Sequence, residues 1–550
     1  MERGPGVLKI NFKIMFDYDE FYKKQPVSFI DFPERHAKIA SLCKGKVFDI
    51  GCCFGILSDY YFGDYVGYDF VEHCLAEAKK VRRKDAEFIL HDCSDLSALP
   101  IEQADTFVFA EFLEHFKDDE RILAPIYARH KKGARLVISI PNGPRVPDPS
   151  HERELTIPQL RKKFEPHGRV KFYHWPGERH NIIMTVDLDE RALSWLSLVM
   201  IVKNEEKGLE RAIFSAMENV DNIVIACDNS SNDKTKEIAA LYADTLKTFD
   251  WRDDFSRARN FAHEGVKTKW ILFLDGHEYI AKLERLNEFL ALDYDGLLCS
   301  VELESTFVFQ NPRIYKNGVQ FEGRVHEKQM CKSVLPYPGI LIKHDRLGAQ
   351  SVAAATERAL QTDDMVPRIM GEELRKDPKN IRALFHLAIY YQARGRFKEA
   401  LPFQKRYLRL SKNHGERWFV LLNRALCNLS LSRFFFAEYN ADLCEKEIPG
   451  RWEVNKLKGL TLFMQKKYFR ALEYFIKTFE PDKFEYSYKP WAHNDFEIWN
   501  LIGECFFNLR QPDKAYSAFA RAAEQCQEPK LKGFYSARAA LMVELTKARN

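Results

Sequence analysis

The chain of 550 residues reads as two successive α/β units followed by an all-α unit, and three observations predict this. Short apolar stretches at 46–50, 65–69, 86–92, 104–110 and 133–140 run into Gly or an acid and alternate with helical stretches such as 71–81. That alternation is the sequence form of a doubly wound parallel sheet. The pattern restarts at 196–202 and continues through 222–228 and 270–274, so a second sheet is expected. Beyond residue 360 the signal changes. Ala400, Ala437, Ala471 and Ala515 recur at intervals of 37, 34 and 44 residues, near the period of helical-hairpin repeats. The expected units are 1–190, 195–350 and 360–550.

Composition narrows the function classes. Apolar residues at 46% and charged residues at 29% are ordinary for globular protein. A net charge of +4 is small for this length and gives no case for nucleic-acid binding. The 12 cysteines show neither a CxxC pair nor a Cys/His spacing that suits zinc. The first residues, Met-Glu-Arg-Gly-Pro-Gly, lack the charged-then-apolar order of a signal peptide. No apolar run approaches the ~20 residues that span a bilayer. The expectation is a soluble, cytoplasmic protein with reduced thiols and no transmembrane segment.

In the first unit, Asp49-Ile-Gly51-Cys-Cys-Phe-Gly55 follows a strand. Glycines there let backbone approach a ligand, and a helix N-terminus is expected to follow with free N–H groups. Asp69 ends the next strand, where an acid suits a ribose diol. Asp92 ends the third, and Glu111-Phe-Leu-Glu114-His115 follows the fourth. These residues resemble the class I S-adenosylmethionine-dependent methyltransferases, a Rossmann-like fold, over about residues 35–145. The resemblance implies S-adenosylmethionine as cofactor, held by Asp49, Gly51, Gly55, Asp69, Asp92 and Glu111. The bulky Cys52-Cys53-Phe54 inside the loop departs from that family's usual small residues. His115 and His151 are candidate general bases for O-methyl transfer by residue type. Residues 150–185, with Arg153, His167, His174, Trp175 and His180, are expected either to cap the acceptor pocket or to form a solvated closing hairpin.

In the second unit, residues 270–278 (Trp-Ile-Leu-Phe-Leu-Asp-Gly-His-Glu) carry a buried-type strand into Asp275, His277 and Glu278. Ligands of open α/β sheets sit at such carboxyl ends, and oxygen ligands there suit a divalent metal on a diphosphate. Lys203-Asn204-Glu205 ends the first strand, Asp228 and Asp233 bracket a polar turn, and residues 255–260 (Phe-Ser-Arg-Ala-Arg-Asn) open a helix. This order resembles the family 2 glycosyltransferases of the GT-A fold over about 196–345. The resemblance implies a nucleotide-sugar donor, UDP- or GDP-linked, contacted by Lys203, Asn204, Glu205, Asp228, Asp233, Arg257, Arg259, Asn260 and Asp275. His277 stands where that family has the second Asp of its metal motif. Histidine suits Mn²⁺ better than Mg²⁺, so the metal set is Asp275, His277 and His344. In an inverting transfer a base must take the acceptor proton; Glu327 is the first candidate and His326 the second.

In the third unit, Trp499, Ile502, Gly503, Phe506, Ala515, Phe519 and Ala522, with a weaker copy at Gly459, Leu462, Ala471 and Phe475, fit the packing positions of tetratricopeptide repeats. A solenoid of such hairpins offers a concave surface to a protein partner or supports self-association. Residues 481–494, with Tyr488 and Trp491, read as an insertion. Two function classes follow. One is a bifunctional enzyme that transfers a sugar to a glycan or protein acceptor and methylates a sugar oxygen. The other is a repeat-based scaffold, or a protein-glycosylating enzyme whose methyltransferase domain is inactive.

Overall fold

The computed structural model of the protein describes residues 18–28, 32–145, 148, 150–175, 181–190, 195–303, 307–345, 365–479 and 495–547. His180 and the 481–494 insertion, including Tyr488 and Trp491, lie outside them. The chain forms two compact units, Met1–Ala355 and Thr356–Asn550.

The first unit contains both α/β sheets. The leading sheet is built from β1 (Val47–Ile50), β2 (Tyr65–Asp69), β3 (Glu87–Leu90), β4 (Thr106–Ala110), β5 (Arg135–Pro141), β6 (Gly168–Tyr173) and β7 (Asn181–Leu188). Its order is β3-β2-β1-β4-β5-β7-β6, with β7 antiparallel to both neighbours. β1 is buried at all four positions, because neighbours β2 and β4 flank it and both faces are covered. The carboxyl ends of β1, β2 and β4 therefore lie side by side.

Two local expectations are corrected. The residues after Gly55 form a four-residue 3₁₀ turn, Ile56–Asp59, rather than an α-helix. Only residues 56–64 separate the glycine from β2, which leaves no length for a helix of several turns plus its exit. Residues 150–185 do close the sheet as an antiparallel pair, β6 with β7, but the pair is packed rather than solvated. They contain the helix Ile157–Phe164 and strand β7, which is buried along its whole length.

The second sheet comprises β8 (Leu196–Val202), β9 (Asn222–Asp228), β10 (Thr245–Phe249), β11 (Trp270–Phe273), β12 (Glu278–Leu283), β13 (Gly296–Leu303), β14 (Phe307–Lys316) and β17 (Val334–His344). A small pair, β15 (Phe321–Glu322) and β16 (Lys328–Gln329), stands apart. The order is β10-β9-β8-β11-β14-β13-β17-β12, parallel from β10 to β11 and antiparallel from β11 to β14. One continuous apolar core runs from Phe48 to Ile342 across both sheets. Polar and ring contacts lock the seam. Arg161 Nε donates to Asp244 Oδ1 at 2.7 Å, and the His174 ring stacks on Phe214 with centroids 4.1 Å apart.

The second unit is all-α among the described residues, a run of helical hairpins from Ile381–Ala393 with Phe397–Leu410 to Asp495–Asn508 with Pro512–Gln525. Four inter-helix turns repeat one geometry. Gly395, Ser432, Lys466 and Arg510 take φ of 71°, 57°, 62° and 58°. In each, the following N–H reaches back across the turn, as from Arg396 to the Tyr391 carbonyl and from Gln511 to the Phe506 carbonyl. Ala400, Ala437, Ala471 and Ala515 follow these turns and are fully buried. A Cβ on Gly459 or Gly503 would lie 2.5 Å from the Phe475 or Phe519 ring, so glycine permits the close helix approach twice in the same register. No described helix is long and apolar enough to cross a membrane.

Candidate active sites

The first site lies past the carboxyl ends of β1, β2 and β4. Asp49 is buried and accepts a hydrogen bond from the Tyr65 hydroxyl at 2.6 Å. Burial and the nearby Asp69 charge push its carboxyl up to about 7, against the pull of the Tyr65 hydrogen bond. Gly51 and Gly55 both adopt positive φ, 76° and 63°. A side chain on either would strike the Phe112 or Phe88 ring. Asp69 is buried and accepts the Cys53 and Val71 N–H groups at 2.7 and 2.8 Å; burial holds its carboxyl above the usual range. Asp92 is half-buried and caps the Ser94 N–H at 3.0 Å. The bulky loop is packed inward, with Phe54 fully buried against Ile56 and Val71.

Glu111, at φ 52°, turns the chain after β4. Its carboxylate accepts from the Asn181 amide at 2.5 Å and from the Ser139 hydroxyl, with Arg35 at 3.6 Å. Glu114 differs. It is 1% exposed, and neither carboxylate oxygen meets a hydrogen-bond partner among the described residues. Burial, then the Glu111 charge, drives its carboxyl well up. His115 lies against the loop that follows, its Nδ1 3.1 Å from the Ser150 carbonyl oxygen, and burial holds its imidazole down. His151 faces it, with ring centroids 5.3 Å apart.

The residues fit S-adenosylmethionine in kind. An ionised carboxylate has about four lone-pair positions, and Asp69 uses two on backbone N–H groups, leaving the others for a diol. The loop supplies left-handed glycines, but no helix N-terminus follows it.

The second site lies past β8 and β11. Lys203 Nζ is 3.5 Å from Asp228 Oδ2. Asn204, at φ 53°, accepts the Asn232 N–H at 3.0 Å, and Asp228 accepts the Ser230 N–H and hydroxyl at 3.0 Å. Asp233 accepts the Thr235 and Glu206 N–H groups at 3.0 and 3.1 Å. These bonds tie the two strand-end loops together. The Asp254 carboxylate caps the helix Phe255–His263 by accepting the Arg257 N–H at 2.9 Å, and Arg257 itself is exposed.

Arg259 is the hub. It is buried, lies over the Phe273 ring at 3.7 Å, pairs with Glu327, and approaches Asp275 Oδ1 at 3.5 Å. The sequence assigned it to phosphate; here its guanidinium gathers two acids. Asn260 is a clip: its amide engages both the N–H and the carbonyl of Phe321, at 2.8 and 3.0 Å. His326 is exposed, at φ 52°.

Strand β12 pairs with β17 so that Glu278 lies opposite His344. This register brings His277 Nε2 within 2.9 Å of His344 Nε2, while His277 Nδ1 lies 3.2 Å from Glu205 Oε1. Two nitrogens bound to one ion at about 2.1 Å and a right angle would stand about 3 Å apart, so the pair fits a shared metal. Gly276 lets Glu205 close in, since a Cβ there would be 2.7 Å from its Cγ. Glu278 and Arg313, not linked by any sequence motif, form a buried pair at 2.6 Å, and Glu278 also accepts the Asp275 N–H at 3.0 Å. An acid and a cation on two apolar strands was the available signal.

Two segments of the chain match known protein families. Residues 197–345 match the family described as Glycosyl transferase family 2, and residues 48–138 match a methyltransferase domain family. The chain therefore joins a segment similar to methyltransferase domains, a segment similar to family 2 glycosyltransferases and a run of helical hairpins. It is 26% identical over 285 residues to the SPbeta prophage-derived glycosyltransferase SunS of Bacillus subtilis strain 168, a match covering 48% of this chain and 66% of that one. It is 31% identical over 196 residues to the TPR repeat-containing protein Synpcc7942_0270 of Synechococcus elongatus, covering 31% of this chain and 48% of that one. Among solved structures, the thermophilic TPR protein TTC0263 of Thermus thermophilus aligns at 16% identity and a TM-score of 0.26, over 34% of this chain and 95% of that one. The chain thus spans less than two thirds of the curated relatives it matches.

Proposed function

We propose that the protein is a bifunctional, glycan-modifying transferase. Its second sheet moves a sugar from a UDP- or GDP-linked donor to a glycan or protein acceptor with inversion. Its first sheet methylates an oxygen, most simply on a sugar, with S-adenosylmethionine as donor. The observation that carries the glycosyl reading is the Arg259 guanidinium gathering Asp275 and Glu327 past the strand ends, with the His277 and His344 rings in contact on the paired strands that follow.

Within this reading Asp275, His277 and His344 hold a divalent ion, Mn²⁺ by ligand type. When bound, the ion neutralises charge developing on the leaving diphosphate. Lys203 and the exposed Arg257 meet the diphosphate from the two loops, and Asp228 and Asp233 set the loop shape. Arg259 holds one Glu327 oxygen, which orients the other to take the acceptor proton as the hydroxyl attacks the anomeric carbon. The Glu278–Arg313 pair fixes Asp275 through its N–H. In the first sheet, Asp69 positions the ribose and Asp92 the adenine side. The uncompensated acids around them favour a cationic sulfonium.

A second reading, in which the first sheet binds no methyl donor, draws on the four-residue turn where a helix was expected. One experiment separates these readings. The purified full chain is screened by thermal shift with UDP- and GDP-sugars plus Mn²⁺, and separately with S-adenosylmethionine. A ligand at 100 times its Kd stabilises by about 2.7 kcal/mol. A shift with each class supports the bifunctional reading. A shift with a nucleotide-sugar alone leaves the second reading standing, and no shift with any donor defeats the glycosyl assignment.

A further inference from the structure

Glu114, His115 and His151 each offer one ligand atom, and these atoms all lie within 4.8 Å of one another. They come from two segments 36 residues apart, the turn after β4 and the loop preceding the helix Ile157–Phe164. The loop is pinned over the turn from several sides. The Glu152 N–H donates to the Glu114 carbonyl at 2.9 Å, Arg153 donates to the Leu113 carbonyl at 3.1 Å, and Arg153 pairs with buried Asp119 at 2.6 Å. His151 is thus held in place rather than drifting on a free loop.

Three features point to an ion. First, Glu114 is buried and neither oxygen has a hydrogen-bond partner among the described residues, only the charges of Arg35 and Arg153 acting on it from nearby. A buried carboxylate without hydrogen bonds costs several kcal/mol unless a cation or proton meets it. Glu111, three residues earlier, has its partners in Ser139 and Asn181, so the shortage is specific to Glu114. Second, when His115 Nδ1 donates to the Ser150 carbonyl, Nε2 presents a lone pair. That outer hydrogen bond is the usual device for orienting a metal-bound imidazole. Third, donors on a common ion at 2.0–2.2 Å are at most about 4.4 Å apart, so closure needs shifts of only a few tenths of an ångström.

We propose that Glu114, His115 and His151 form a divalent transition-metal site in the methyltransferase domain, distinct from the pair His277 and His344, and that its open positions hold the acceptor by a hydroxyl oxygen. A set of two histidines and one carboxylate binds first-row divalent ions and leaves positions for substrate. His115 and His151 then act as ligands, not as general bases. Such an ion would ease loss of the hydroxyl proton to solvent water, and the acceptor oxygen would then take the methyl group as S-adenosylhomocysteine leaves. The acceptor part of this proposal rests on the methyl-transfer reading; the metal part does not.

The test uses the full chain carrying His277→Ala and His344→Ala, stripped with chelator and titrated with Co²⁺, whose visible absorption reports imidazole and carboxylate ligation. One equivalent should bind. Adding His151→Asn, or Glu114→Gln, should weaken that binding at least a hundredfold. Melting temperature checks folding, and His151→Asn, on a surface loop, carries the test if Glu114→Gln does not fold. Co²⁺ binding that is absent, or unchanged in a folded variant, overturns the site. Calorimetry with S-adenosylmethionine on the parent chain runs alongside. Cofactor binding without Co²⁺ overturns the metal and keeps the methyl-transfer reading. Co²⁺ without cofactor keeps the metal and removes that reading.

Discussion

The two α/β sheets of this chain place acids in the same position, past the carboxyl ends of parallel strands, and surround them in opposite ways. In the glycosyltransferase sheet the acids are charge-matched. Arg259 gathers Asp275 and Glu327, and Arg313 neutralises Glu278. In the methyltransferase sheet neutral donors predominate: Tyr65 serves Asp49, backbone N–H groups serve Asp69, Ser139 and Asn181 serve Glu111 with Arg35 at 3.6 Å, and Glu114 has no hydrogen-bond partner among the described residues. The difference follows from the ligands each sheet is read to take. A diphosphate is itself anionic, so acids beside it must already be balanced by cations or a metal. A sulfonium is cationic, and unbalanced acids serve it.

The sharpest way to break this comparison is Asp275→Ala. It removes a proposed metal ligand and leaves Arg259 with one acid. Sugar transfer should fall by at least a thousandfold, while S-adenosylmethionine affinity is unchanged, since the sites occupy different sheets. Assaying both activities on one preparation checks this. Retained sugar transfer removes Asp275 from the mechanism, and a parallel loss of methyl-donor affinity shows that the shared core couples the sites.

A smaller effect is expected from Asp69→Ala. Charge-assisted hydrogen bonds to ribose hydroxyls contribute about 1.5–3 kcal/mol, so S-adenosylmethionine should bind at least tenfold more weakly. Donor-sugar hydrolysis should be unaffected. Asp69 also ties Cys53 and Val71 together, so Asp69→Asn is the needed control: it retains an acceptor for one N–H while losing the charge. Equal calorimetric affinity in the Ala variant would show that the acid only shapes the loop.

Much of this contrast was legible in the sequence. Buried parallel strands read as apolar runs, and Asp49, Asp69, Asp228 and Asp275 each stand within two residues of the end of one. The repeats were legible because small residues recur wherever helices touch, as the buried alanines and Gly459 and Gly503 do. Non-local pairing was not legible. His344 meets His277 only because β12 and β17 pair in one register, and His151 meets Glu114 only because a loop folds back. The 3₁₀ turn after Gly55 is a different case: the glycine motif points to a helix, and only the short run to β2 argues against one. Asn260 shows the converse hazard, a residue whose type suits a sugar nucleotide but whose amide is committed to Phe321.

The mildest test probes the unbalanced acids through stability alone, in the absence of any ligand. Asp49 is buried beside Asp69, and its carboxyl is raised from 3.8 to about 7. The folded chain therefore binds a proton that the unfolded chain releases near pH 4. A raised carboxyl contributes stability that is complete below the unfolded value and lost as pH rises from about 4 through about 7. At about 1.4 kcal/mol per pH unit the whole loss is about 4 kcal/mol at most. Asp49→Asn keeps an acceptor for the Tyr65 hydroxyl and cannot ionise. Near pH 4 parent and variant should melt together, and above pH 7 the variant should melt higher by several degrees. The charge-matched sheet supplies the comparison, because Glu278→Gln strands Arg313 in a buried site and should lower the melting temperature at every pH. Parallel pH profiles for the parent and Asp49→Asn would mean that Asp49 is ionised throughout, and that the first sheet balances its acids after all.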